Sequence, residues 1–236
     1  MRIDSRRALR FLGAMRFLLL FCALVSAALA AVPPELAEAL KNFRADSPRG
    51  WSFTQTTVAE GKSTVEHCNA AKPEFDRWSL VQKDGRAPTA DETQTYAEMR
   101  SRRSRGGTAP KLTDQLDLAT LETVADTPQR ATYRCRLKPG EAGDRVAAFL
   151  RATLVVDKSS QTIESFALAS SGEFSPTLGV KIAEMSTTMV YSLPANGAPS
   201  LAQKVSTHVR GRAFWIKSLD ADMTVTFSDY AWAGKK

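Results

Sequence analysis

From residue 116 onward apolar and polar positions alternate with a period of two, the signature of strands with one buried face. Segments 120–124 and 130–137 flank Asp126-Thr127-Pro128 and read as a hairpin. Four longer segments follow, at 152–157, 162–170, 180–193 and 204–217, and 223–230 closes the series. Turn residues separate them at Lys158-Ser159-Ser160, Ser175-Pro176, Pro194-Ala195-Asn196-Gly197 and Leu219-Asp220. Nearer the start, 51–58 and 77–81 are rich in aromatic and β-branched residues and read as two more strands. Leu36, Leu40 and Phe43 recur at helical spacing behind Pro33-Pro34 and predict a short helix. Thr89-Ala90-Asp91-Glu92 fits a capping box, opening a second helix to about Arg100. The pattern predicts an α+β fold, a large curved antiparallel sheet with helices over one face.

Long strands twist, and a broad twisted sheet curls. The inner face of such a sheet must be filled by its own side chains, by the helices or by an apolar ligand. Alternation places Met185, Met189 and Tyr191 on one face of the 180–193 strand, and Met223, Val225 and Phe227 on one face of the last. Phe214 and Trp215 are neighbours and face opposite ways if their strand is regular. Met185, Met189, Tyr191, Phe214, Met223, Val225 and Phe227 are therefore candidates to line a concave apolar surface. The same cluster also serves as plain core.

The first thirty residues have a different character. Arginines precede the apolar run 17–29, which is short of the roughly 20 residues that span a bilayer. Ala28-Leu29-Ala30 follows the small-x-small rule, so 1–30 reads as a secretory signal cut after Ala30, leaving one domain at 31–236. Ser5-Arg6-Arg7-Ala8-Leu9 resembles a twin-arginine signal, while Met15-Arg16 begins a complete ordinary one. The chain has 32 Lys+Arg against 25 Asp+Glu. Five of those arginines and one of those acids lie in 1–30, so the rest carries only +3. That charge, with export to the periplasm, argues against nucleic acid as a partner. Cys68 and Cys135 remain beyond the signal, and in an oxidising compartment a pair is most simply a disulfide. Two separately buried thiols are the alternative.

No Gly-x-Ser-x-Gly elbow, His-Glu-x-x-His or phosphate-binding glycine loop is present, and only His67 and His208 could serve as catalytic bases of that type. No metal, cofactor or catalytic residue is indicated, and the chain reads as a non-enzyme. The run Arg100-Ser101-Arg102-Arg103-Ser104-Arg105-Gly106-Gly107 reads as a solvated loop. Alternatively Arg102, Arg103 and Arg105, with Arg212, meet an anionic headgroup or a partner.

Gly179-Val180-Lys181-Ile182 with the long strand after it, Val209-Arg210-Gly211-Arg212-Ala213-Phe214, Ser228-Asp229-Tyr230 and the pair 152–157 and 162–163 resemble the periplasmic lipoprotein-localisation (LolA/LolB-like) superfamily. Arg77-Trp78-Ser79-Leu80-Val81 and the stretch 84–92 are similar to segments of exported bacterial proteins of that shape. The resemblance covers about 35–232. It implies an unclosed β-barrel capped by helices, whose lining holds acyl chains of lipoproteins or another amphiphile. The leading expectation is a periplasmic, non-enzymatic carrier of a lipid or acyl chain, working with an inner- or outer-membrane protein. The alternative is an envelope interaction module with a self-filled core that docks a membrane or export partner.

Overall fold

Alternation of apolar and polar residues recurs in enough segments to build one continuous sheet. The computed structural model describes residues 32–43, 50–103, 111–139, 146–214 and 216–234. Among them eleven strands form a single antiparallel sheet: β1 (Trp51–Ala59), β2 (Lys62–Cys68), β3 (Trp78–Lys83), β4 (Leu116–Asp126), β5 (Arg130–Leu137), β6 (Leu150–Asp157), β7 (Thr162–Ser170), β8 (Val180–Tyr191), β9 (Ala202–Ala213), β10 (Lys217–Ser218) and β11 (Ala221–Trp232). The spatial order is β3-β2-β1-β11-β9-β8-β7-β6-β5-β4, with the two-residue β10 on the end of β9. Strands β3 and β4 are its edges, so the sheet is an unclosed, half-barrel-like surface. Few helices accompany it: α1 (Pro34–Asn42), α2 (Ala90–Arg103) and α3 (Leu112–Gln115).

Residues paired directly across an antiparallel ladder share a face. The registers therefore trace one inner face across the sheet. It runs from Leu80 to Glu66, Gln55, Phe227, and one pair further along from Val225 to Val205, Met189, Phe166, Leu154 and Tyr133. At the β5–β7 end this face is closed by α1. Its Leu36, Ala39 and Leu40 are buried against Ala131, Tyr133, Ala152, Leu154, Ile163 and Phe166. The Tyr133 hydroxyl donates to Glu35 Oε1 at 2.7 Å and ties the helix to the sheet. The first-turn backbone hydrogen bond, then Tyr133, hold the Glu35 carboxyl below its ordinary range.

The sequence reading holds for most strands, and Arg130–Leu137 and Thr162–Ser170 match to the residue. The capping box forms: Thr89 N donates to Glu92 Oε2 at 2.9 Å and Glu92 N to Thr89 Oγ1 at 3.3 Å. Two expectations change. Strand β2 was not foreseen. Helix α2 runs on to Arg103, so the start of the arginine run is helical and not loop. Arg105, like the expected signal and its cleavage site after Ala30, lies outside the described residues.

The cysteine expectation is also corrected. Cys68 on β2 and Cys135 on β5 are both buried free thiols, with six strands between theirs in the sheet. Cys135 belongs to the core beneath α1, whereas Cys68 pairs with Phe53 and Trp78 at the other end. Burial raises both thiols, Cys135 to about 11. Intact mass is therefore expected to be the same before and after reduction. At pH 8 a thiol reagent is expected to label both cysteines only after unfolding. A gain of two mass units on reduction would contradict the structure.

Candidate functional site

Helix α2 lies over the opposite end of the inner face, against β3. Its sequence is mostly polar, but Tyr96, Met99 and Arg100 follow each other at i, i+3 and i+4 and form one stripe. The end of the helix nearest the β3 turn is fixed by charge. Glu92 meets Arg86 at 2.8 Å and Lys83 at 2.9 Å. Arg86, the Thr89 backbone and Lys83 hold its carboxyl far below the usual range. The turn that presents Arg86 is Asp84-Gly85, both at positive φ, with Lys83 and Arg86 bridged across it.

Beneath α2 sits Glu66, on the inner face of β2 and 7 % exposed. An unpartnered carboxylate there would cost several kcal/mol. The surroundings satisfy it. Tyr96 OH donates to Glu66 Oε1 at 2.7 Å, and Arg100 Nη2 to the same oxygen at 2.5 Å. Gln55 Nε2 donates to Oε2 at 2.8 Å. Arg100 Nε also donates to the Tyr96 hydroxyl at 3.0 Å, and its guanidinium lies 4.1 Å from the Trp78 ring centroid. Desolvation, then the Glu66 hydrogen bond, push the Tyr96 hydroxyl far above its ordinary value. It stays a neutral donor at physiological pH.

Between α2 and the sheet lies a cavity of about 730 Å³. Its lining interleaves this polar network, with Thr57, Thr64, Asp91 and Thr95, and the apolar side chains Trp78, Leu80, Met99, Met223, Val225 and Phe227. Size and lining suit a small-molecule site. The strand positions in the lining all follow the inner-face parity set by the registers of β1, β2, β3 and β11. Aromatic contacts at the far end stiffen it: Phe53 meets Trp78, Phe227 and Tyr230 with ring centroids 5.5, 5.8 and 5.5 Å apart.

The expected lining residues divide three ways. Met223, Val225 and Phe227 line the groove. Met185, Met189 and Tyr191 share the inner face but sit on β8, two strands away from β11. Met189 and Tyr191 join the α1 core. Tyr191 OH donates to Met189 Sδ at 3.4 Å, and its ring meets Phe43 edge-on at 5.3 Å. Phe214 does not line the groove. Strand β9 ends at Ala213, and Phe214 sits in the following turn at φ +47°, 70 % exposed. Trp215 lies outside the described residues. Arg102 and Arg103 end α2.

Arg212 is on the outer face, beside a second cavity of about 770 Å³ that also takes in Lys181, Arg210, Glu173 and Asp220. Charges there are largely matched, as Lys181 pairs with Glu173 at 2.8 Å and Arg210 with Asp222 at 2.8 Å. His208 is on the same face, with Nδ1 2.6 Å from Asp222 Oδ1. Among the groove residues not foreseen are Gln55, Glu66, Trp78, Tyr96, Met99 and Arg100. The Tyr96, Met99, Arg100 stripe was visible in the helical spacing. Glu66 had no signal, since a glutamate at a buried strand position reads as an exposed one.

Comparison with family models, with curated proteins and with solved structures finds no match for the chain. The groove is therefore read from its own geometry. Among the described residues no cluster of ligating side chains could hold a metal. Replacing Arg100 by Met strands a buried carboxylate and is expected to cost about 3 kcal/mol in urea unfolding. The double variant Glu66→Leu/Arg100→Met is expected to regain most of that loss. Equal costs for the single and double variants would mean that the pair does not hold α2 down.

Proposed function

We propose that this protein is a periplasmic, non-enzymatic carrier for a lipid, an acyl chain or another amphiphile, bound in the groove under α2. On this reading the molecule is a curled α+β half-barrel capped by helices, as its resemblance to the lipoprotein-localisation superfamily implies. The observation that carries the reading is the mixed lining of the groove, in which methionine, valine and aromatic side chains lie beside a hydrogen-bonded Glu66–Tyr96–Arg100 cluster. A ligand with an apolar body and a polar end matches both.

The apolar part of the lining gains about 0.8 kcal/mol for each methylene it takes from water. Met99 and Met223 suit chains of varied shape, because an unbranched thioether repacks easily. The polar cluster supports binding more than catalysis. Both Glu66 oxygens are engaged by donors and Tyr96 is held protonated, so the cluster offers hydrogen bonds and no base or nucleophile. The arginine-led apolar start of the chain supports export.

Titration with a fluorescent fatty acid tests the reading. Met223 and Met99 are 37 % and 39 % exposed, so Met223→Glu and Met99→Glu are expected to fold. Each places a charge among the apolar lining residues and is expected to weaken binding by about tenfold or more. His208→Asn on the outer face is expected to bind as the parent does. Folded Met223→Glu and Met99→Glu variants with parental affinity would move the ligand out of this groove.

A further inference from the structure

Two turns meet at one end of the sheet, that between β7 and β8 and that between β9 and β10. The Phe214 N–H donates to the Gly179 carbonyl oxygen at 2.6 Å. The Phe214 ring lies over Gly179, where an added Cβ would stand 2.7 Å from it. Gly179 itself is at φ +77°, so the close approach and the backbone both require glycine there. A bulky residue at φ +47° is an outlier, and this one is held so that its ring stays in solvent.

Leu178, next to Gly179, is 95 % exposed, and Ile216 is 92 % exposed. Single exposed apolar residues are ordinary, but three large ones on two hydrogen-bonded turns are not. Arg212 and Lys217 stand exposed at the same end, on paired strands β9 and β10. Neither is in an ion pair among the described residues, whereas the neighbouring Lys181 and Arg210 are.

We propose that this tip contacts a lipid bilayer, with Leu178, Phe214 and Ile216 entering the headgroup–acyl boundary and Arg212 and Lys217 meeting lipid phosphates. The patch is too small for a stable protein interface, which takes roughly 20 residues a side. A bilayer surface needs only a few projecting apolar side chains ringed by cations. Guanidinium and ammonium groups beside the tip match the phosphates at that depth. So few anchors give reversible attachment, which suits a protein that leaves the membrane again. None of these five residues lines the groove, so the tip stands or falls separately from ligand uptake.

The test uses residues 32–236, which form a compact unit with the core described above. An environment-sensitive fluorophore is placed on Ile216→Cys, and on Asn196→Cys in the turn at the far end of β8 and β9. Both proteins are mixed with vesicles of phosphatidylethanolamine and phosphatidylglycerol. The Ile216 probe is expected to shift to the blue and brighten, and the Asn196 probe to stay unchanged. Phe214→Ser/Ile216→Ser is expected to lower vesicle co-sedimentation about tenfold, with thermal stability and fatty-acid binding retained. Three results would overturn the proposal: a silent Ile216 probe, equal shifts at both positions, or a shift that follows protein concentration without vesicles. The last would make the tip a contact between copies of the chain.

Discussion

A strand in this sheet turns one side chain in two toward the inner face, and among the described residues α1 and α2 cover that face at its two ends. A closed barrel would fill the space with its own side chains. Here β3 and β4 stay apart, and the inner face is left to α1 at one end and α2 at the other. Between them lie half-buried positions such as Thr187, Val205 and Val225. The two ends are solved differently. Under α1 leucines meet a layer of alanine, leucine and aromatic residues, which is ordinary core. Under α2 the contact is polar, and a groove remains beside it.

The polar contact explains why the groove exists. A helix with as few apolar side chains as α2 cannot be held by burial alone. It is tied at its start by Glu92 to Lys83 and Arg86, and in its later turns by Tyr96 and Arg100 to Glu66. These directional bonds fix the helix without requiring that the space beneath it be filled. The same donors and acceptor then line part of the groove. Stability of the fold and polarity of the site thus share one cluster, and changes to Glu66 or Arg100 act on both.

Much of the fold was legible in the sequence because period-two alternation is a local property. The long strands after residue 116, the first helix and the capping box at Thr89 could all be read from neighbours in the chain. What was not legible depended on contacts across the sheet. Strand β2 was hidden because its inner positions are Thr64, Glu66 and Cys68, which do not look like a buried row. Phe214 read as lining because alternation assumes that a strand continues, and β9 stops one residue before it. The cysteine pairing failed for the same reason: compartment and count say nothing of the six strands between Cys68 and Cys135. Met223, Val225 and Phe227 could be placed on one face because a single strand carries all three at alternate positions.

The most direct measurement is mass spectrometry of the natively purified protein, first under non-denaturing and then under denaturing conditions, after incubation with envelope extract. A lipid, lipopeptide or other amphiphile released on denaturation at close to one per chain is the expected result, with a smaller load in a folded Met223→Glu variant. A protein that stays empty under the same conditions would contradict the carrier reading and leave the groove as unfilled space beneath a polar helix contact.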